Sequence, residues 1–267
     1  VKLEAYAKVN FTLEVFGVRA DGYHSIRSLV LPVSLSDTIE LEKSDTLTSN
    51  SGYADDLCIR AARALGVTGA NILVTKRIPA GGGLGGGSAD AAAVLIGLNE
   101  LYSLGHSRER LAEIGAKVGS DVPSLVFEGP VVMKGRGEIV APIDLPTLHL
   151  VIVNPGVHSS TAEVYANCCG RNDDGLDLTN AAINAIRSGC LSDIAASLVN
   201  DLQDPAIAIH PEISAAMLAL SNAGLAGVAM SGSGSCVFGI AESPEQAMSI
   251  ADDLKSREFT AWNVHTL

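Results

Sequence analysis

Pro79-Ala80-Gly81-Gly82-Gly83-Leu84-Gly85-Gly86-Gly87-Ser88-Ala89-Asp90 places six glycines in seven positions directly ahead of an Ala- and Leu-rich run. Without Cβ atoms, such a backbone turns tightly and can approach a ligand closely. Ser88 is a good N-cap residue, and Ala91, Leu95, Leu98 and Tyr102 then recur at helical spacing. The stretch therefore predicts a glycine loop that feeds a helix running from Ala89 to Tyr102. Unsatisfied N–H groups and the positive end of the helix dipole meet at such a junction, which suits it to phosphate. The plain alternative is a flexible linker, but a linker has no reason to sit between a strand and a capped helix. The loop lacks the G-x-x-x-x-G-K-[ST] pattern, and no acidic residue follows about 20 positions later at the end of a second strand, as a dinucleotide fingerprint requires.

Outward from the loop, β-forming residues cluster at Val9–Val15, Thr38–Leu41 and Ile72–Thr75, which predicts strands. Helices alternate with them. Asp55 or Asp56 is placed to cap one ending near Leu65, with Gly66 just beyond. Ser107 is placed to cap another, carrying Leu111, Ile114 and Val118. Pro142 and Pro146 interrupt the pattern, and Leu148–Val153 reads as a fresh strand opening a second unit. After a loop at Asn172-Asp173-Asp174-Gly175 come three helical stretches, the last opening at Pro211. Ser243-Pro244-Glu245-Gln246 starts one more helix, with Ser at the cap and Gln three residues on, and Ala261–Leu267 reads as a closing strand. The class expected is α+β in two parts.

The 267 residues carry a net charge of −12, which argues against nucleic acid as a partner because no basic excess is available to displace counterions. It leaves room for an anionic small ligand held by backbone N–H groups. No apolar run reaches the roughly 18 residues of a membrane helix, and Val1-Lys2-Leu3-Glu4-Ala5 resembles a strand rather than a signal peptide, so a cytoplasmic protein with no membrane partner is expected. The cysteines Cys58, Cys168, Cys169, Cys190 and Cys236 are odd in number and lack C-x-x-C spacing, consistent with reduced structural thiols. No metal-ligand spacing is present, and the protein ligand of any metal stays unassigned.

Gly81–Asp90 resembles the phosphate-binding loop of the GHMP kinases. Two further motifs resemble that family in the same order, Ala7-Lys8-Val9-Asn10 near the start and Met230-Ser231-Gly232-Ser233-Gly234-Ser235 near the end. Ala20-Asp21-Gly22-Tyr23-His24, Gly119-Ser120-Asp121-Val122-Pro123 and Asn154-Pro155-Gly156 are similar to the branch whose acceptor is a cytidine-diphosphate-linked branched polyol. The resemblance implies an ATP-dependent kinase. It implies an N-terminal nucleotide-binding domain over 1–147, like the second domain of ribosomal protein S5, and a ferredoxin-like C-terminal domain over 148–267. It also implies Mg²⁺ held mainly by the ATP oxygens and water. A monomer or homodimer is expected. Tyr6 stands where Pro often occurs, Asp56 where Asn is usual, and the segment between Lys43 and Asp55 is short.

The resemblance gives catalytic roles to Lys8 and Asp121. Read alone, Asp121 is a turn carboxylate and Lys8 an exposed lysine. It gives ATP binding to Pro79, Ala80, Gly81, Gly82, Gly83, Leu84, Gly85, Gly86, Gly87, Ser88 and Ala89. Ser88 has two compatible jobs, helix cap and ligand to phosphate or Mg²⁺. Asn10, Thr161, Gly232, Ser233 and Gly234 are expected along the acceptor path, the last three also reading as a hairpin turn. Tyr23, His24 and Tyr165 are the candidates for base recognition by stacking and edge hydrogen bonds, with Tyr165 equally readable as a core residue. Other acceptors, of the mevalonate or homoserine type, and a nucleotide sensor that has lost catalysis are the alternatives. His106, His149, His158, His210 and His265 receive no role.

Overall fold

The computed structural model describes residues 1–51, 56–172 and 175–267. In chain order the elements are β1 (Lys2–Val18), β2 (His24–Lys43), β3 (Leu47–Ser49), α1 (Leu57–Ala64), β4 (Ala70–Thr75), α2 (Gly86–Leu101), α3 (Arg108–Gly115), α4 (Val122–Leu125), β5 (Val131–Gly135) and β6 (Ile139–Pro142). Then come β7 (His149–Asn154), α5 (Thr161–Ala166), α6 (Leu178–Ser188), α7 (Leu191–Ala196), β8 (Val199–Asn200), α8 (Gln203–Ile209), α9 (Glu212–Asn222), β9 (Val228–Met230), β10 (Val237–Ala241), α10 (Pro244–Ser256) and β11 (Thr260–His265). The α+β expectation holds. Among the described residues four helices, rather than three, lie between Gly175 and Val228, because the six-residue α7 is too short to show a periodic face. The caps expected at Asp56, Ser107 and Ser243 are made, each side chain accepting from an N–H of its helix's first turn. The alternative cap Asp55, and Asp173 and Asp174 of the expected loop, lie outside the described residues.

Two sheets carry the molecule. In the first, the path is β3-β4-β2-β1-β8, with β5 on β2 and β6 on β5. The 20-residue β2 is long enough for β4 to pair with Thr38–Lys43 while β5 pairs with Ile26–Val30. β1 runs antiparallel to β2, and its pairing skips between Tyr6 and Lys8 and between Asn10 and Thr12. A one-residue skip turns a strand's side chains to the other face. Accordingly Val9 and Phe11 enter one hydrophobic core, whereas Leu13 and Val15 enter the other. Lys8 and Asn10 lie between the two irregularities, buried and polar on a strand otherwise committed to the cores.

The second sheet, β11-β7-β10-β9, is antiparallel throughout and is backed by α9 and α10. The larger core spans both sheets. Phe11 of β1 and Phe238 of β10, both fully buried, meet with ring centroids 6.4 Å apart. Truncating Phe11 to Ala is worth about 3–5 kcal/mol on general grounds. α2 packs over β1 and β2 so closely that a Cβ on Gly97 would lie 2.4 Å from the Cδ1 atoms of Leu3 and Leu41. Its alanines and leucines are buried on several faces, so its sequence is apolar nearly all round. Among the described residues no helix is long and apolar enough to cross a membrane.

Candidate active site

The glycine loop is fixed through its carbonyls. Gly81 O accepts from Ser159 N, Gly82 O from Cys236 N, Gly83 O from the Ser231 hydroxyl and Leu84 O from Lys8 N. Among the described residues no N–H from Gly82 to Ser88 donates to a protein acceptor. Gly81, Gly83 and Gly85 have φ of 69°, 73° and 70°, and alternation of left-handed residues along a chain turns successive N–H groups toward one side. The left-handed Gly85 is the N-cap of α2, with no side-chain cap bond. Ser88 is therefore not the cap expected from its residue type. The helix starts two residues before it, and Ser88 lies in the first turn. Close packing enforces glycine here: a Cβ on Gly83 would sit 2.1 Å from Ser231 O, and one on Gly81 would sit 2.2 Å from the His158 ring.

Around this loop opens a cavity of about 1120 Å³. It takes in Pro79 to Ser88, Lys8, Asn10, Tyr23, His24, Asp121, Thr161, Tyr165 and Gly232 to Gly234. Of the expected site residues only Ala89 is absent from its lining, being buried in the larger core instead. Lys8 Nζ stands 3.6 Å from Asp121 Oδ2 and donates to Asn10 Oδ1 at 2.5 Å. Asn10 is held in that orientation because its Nδ2 donates to Ser28 Oγ at 2.8 Å. Lys8 is nearly all buried and Asp121 about one-third exposed, so the carboxylate faces the open space. Gly232 to Gly234 form the turn between β9 and β10, and the Ser233 and Thr161 hydroxyls are 2.9 Å apart. Turn and cavity wall are thus the same residues.

At one end of the cavity, His24 and Tyr165 bring their ring centroids to 5.4 Å, tilted by 37°. His24 Nδ1 lies 2.9 Å from Phe16 O, which can only accept. A neutral His24 therefore carries its proton on Nδ1 and leaves Nε2 as an acceptor. Burial, with Asp121 next and then Cys168, pushes the Tyr165 phenol well up, so it stays protonated as a donor.

Around α1 and the start of α2 lies a charged group that sequence reasoning missed. Lys76 Nζ contacts Asp37 Oδ2 at 2.5 Å and Asp90 Oδ2 at 2.7 Å. Asp37 Oδ1 also accepts from the N–H groups of Arg77 and Ile78. Burial, reinforced by Asp37 and opposed by Lys76, pushes the Asp90 carboxyl up to about 7. Its Oδ1 is buried without a hydrogen-bond partner. Burial pulls Lys76 down, but the two carboxylates outweigh it and hold its ammonium above the ordinary value. Asp56, cap of α1, also lines the cavity; burial raises its carboxyl, yet Ser51, Ser49 and two helix N–H groups hold it below the usual range. His158 and Arg136 are further lining residues not anticipated. Among the described residues no group of three or more His, Cys, Asp or Glu is arranged to hold a metal.

Known proteins resemble this chain along its whole length. Residues 53–129 match the model of the GHMP kinases N terminal domain, and residues 182–260 that of the GHMP kinases C terminal domain. A 4-diphosphocytidyl-2-C-methyl-D-erythritol kinase of Citrifermentans bemidjiense is 40% identical over 100% of this chain and 99% of its own length. The enzyme of the same name from Geobacter metallireducens is 41% identical over 94% of this chain and 93% of its own. A crystal structure of 4-(cytidine 5'-diphospho)-2C-methyl-D-erythritol kinase superposes with a TM-score of 0.86 at 36% identity, covering 100% of this chain and 99% of that one. A homoserine kinase from Cytophaga hutchinsonii, 18% identical with a TM-score of 0.77 and covering 100% of this chain and 94% of its own, shares the fold.

Proposed function

The chain belongs to the GHMP kinases, and from that membership we propose that it transfers the γ-phosphoryl group of ATP to the 2-hydroxyl of 4-diphosphocytidyl-2-C-methyl-D-erythritol, in non-mevalonate isoprenoid precursor biosynthesis in the cytoplasm. The observation that carries the reading is the Lys8–Asp121 pair, 3.6 Å apart, in the same cavity as a cradle of unpaired amides. Phosphoryl transfer needs little more than alignment and charge stabilisation. The amides of Gly82–Ser88 and the N-terminus of α2 receive the ATP phosphates. Asp121 accepts the proton of the acceptor hydroxyl as its oxygen bonds to the γ-phosphorus and the bond to the β-phosphate oxygen breaks, releasing ADP. Lys8 keeps Asp121 ionised and faces the transferring group. Asn10 holds the Lys8 ammonium in place.

Magnesium fits this site as a metal carried on the nucleotide. The Ser88 hydroxyl, a hard oxygen donor in the first turn of α2, lines the cavity, and Mg²⁺ keeps several waters and phosphate oxygens. When bound, it neutralises charge on the phosphates.

At the far end, Tyr23 offers an exposed ring and His24 Nε2 an acceptor for the exocyclic amine of cytosine. ADP release measured with the cytidine-linked polyol, free methylerythritol phosphate, mevalonate and homoserine tests the reading. Turnover is expected with the first and a loss of roughly 30- to 1,000-fold in kcat/KM without the cytidine, from one stack and one hydrogen bond. Equal or better turnover of mevalonate or homoserine would overturn the acceptor. ATP binding without ADP from any of them would make the protein a sensor.

A further inference from the structure

Three residues of the cavity lining carry permanent cations, namely Lys8, Lys76 and Arg136. Lys8 is matched by Asp121, and Lys76 by Asp37 and Asp90. Arg136 is different. Among the described residues its guanidinium has no ion pair, although the chain as a whole is strongly acidic. Glu138, two residues on, is spent elsewhere: it pairs with Arg19 at 3.4 Å and accepts from the Arg136 backbone N–H at 2.6 Å. Asp21 is paired with Arg19 at 3.3 Å and feels Arg136 only as a weaker, longer-range charge.

Arg136 is also held in place. It sits at the tip between β5 and β6, flanked by Gly135 and Gly137 with φ of 74° and 117°. That tip is docked on the catalytic loop, since a Cβ on Gly137 would lie 2.5 Å from Ser120 O, next to Asp121. The guanidinium carbon lies 5.3 Å from the centre of the Tyr23 ring, the ring proposed above to meet the base. A half-buried planar cation that lines the same cavity as the base platform and the reacting carboxylate suits the diphosphate of a nucleotide-linked alcohol.

We infer that Arg136 is a specificity residue that binds the diphosphate of the acceptor substrate. This rests on the proposed function. The two amine cations are held in ion pairs, so the guanidinium, which makes none among the described residues, is where the acceptor's negative charge is met at that end of the cavity. The residue contributes to binding of the acceptor and leaves ATP binding to the glycine loop.

The test compares wild type, Arg136→Gln and Arg136→Lys by calorimetric titration with CDP and with cytidine, alongside steady-state kinetics. Arg136→Gln is expected to weaken CDP binding and raise KM for the cytidine-linked polyol by roughly 10- to 100-fold, the range for hydrogen bonds to charged groups. Cytidine affinity, KM for ATP and kcat are expected to stay within about threefold, with Arg136→Lys intermediate. Equal losses for CDP and cytidine would assign Arg136 to stacking or to structure and overturn the inference, as would unchanged CDP binding. If the wild type makes no ADP from the polyol, the proposed function itself fails and this inference with it. Wild-type turnover with an indifferent Arg136→Gln overturns Arg136 alone.

Discussion

Two glycine-rich stretches pack against each other in the wall of this cavity and use their backbones in different ways. In residues 81–88 the carbonyls are tied to Ser159, Cys236, Ser231 and Lys8, while the amides from Gly82 onward are left without protein partners. In residues 231–235 Ser231 N donates to Cys236 O and Gly234 N to Ser231 O, so two of the amides close a turn. Asn200 Nδ2 adds bonds to Met230 O and Gly232 O, which clamps that turn onto β8. The first stretch is the one proposed to receive an anion, and the second is fixed as a wall by its turn bonds and by Asn200. Glycine content alone does not distinguish them; the destination of each N–H does.

Substitutions at the two stretches should therefore fail differently. Gly85→Val sets a branched side chain at φ 70°, with its Cβ 3.1 Å from the stem of Lys8. Affinity for a non-hydrolysable ATP analogue is expected to fall on the order of 100-fold by titration. Unchanged affinity would mean that the loop glycines serve folding only. Gly232→Ala brings a Cβ within 3.1 Å of Lys8 Nζ and 3.3 Å of Asn10 Oδ1. Turnover is expected to drop by about 10- to 100-fold through misplacement of Lys8, with analogue affinity nearly kept. The reverse pattern, lost affinity and kept turnover, would erase the distinction between the stretches.

Ser231→Ala removes the bond to Gly83 O and the acceptor for Asn10 N, leaving a buried donor unmet. Denaturant unfolding should show a loss of about 1–3 kcal/mol. The smallest effect is a slope. The Asp90 carboxyl lies near 7 in the folded protein against an ordinary 3.8, so the native state binds more protons than the unfolded chain between those values. Wild-type stability should fall as pH rises through that window from this group. Asp90→Asn does not titrate, so its melting temperature relative to wild type should climb from pH 4 to 7; a flat difference would mean that Asp90 is not raised.

The loop and its helix were legible because six glycines and a run of small apolar residues constrain the backbone locally. The caps at Ser107 and Ser243 were legible for the same reason, each acting within three residues. Ser88 misled because side-chain preference names a cap only where no glycine can adopt a left-handed turn first, and Gly85 does so. The Lys76–Asp37–Asp90 group was not legible, since Lys76 lies 39 positions from Asp37 and 14 from Asp90 and the three meet only when β2, β4 and α2 assemble. His158 lies 77 positions from Gly81, against whose backbone it packs. Arg136 reads as an ordinary turn residue until the hairpin is docked on Ser120. Lys8 and Asp121 carry no local signature of the roles proposed for them; only the family resemblance singled them out.

Turnover by Asp121→Asn tests phosphoryl transfer at this cavity most directly. With the cytidine-linked polyol and ATP, ADP release by the variant is expected to fall by roughly 10²- to 10⁴-fold, the usual contribution of a positioned proton acceptor. Affinity for the ATP analogue and the melting temperature should remain close to wild type, because the Asp121 carboxylate makes no helix-cap bond and faces the open cavity. A variant that releases ADP within a few-fold of the wild-type rate would contradict the assignment of Asp121 as the proton acceptor.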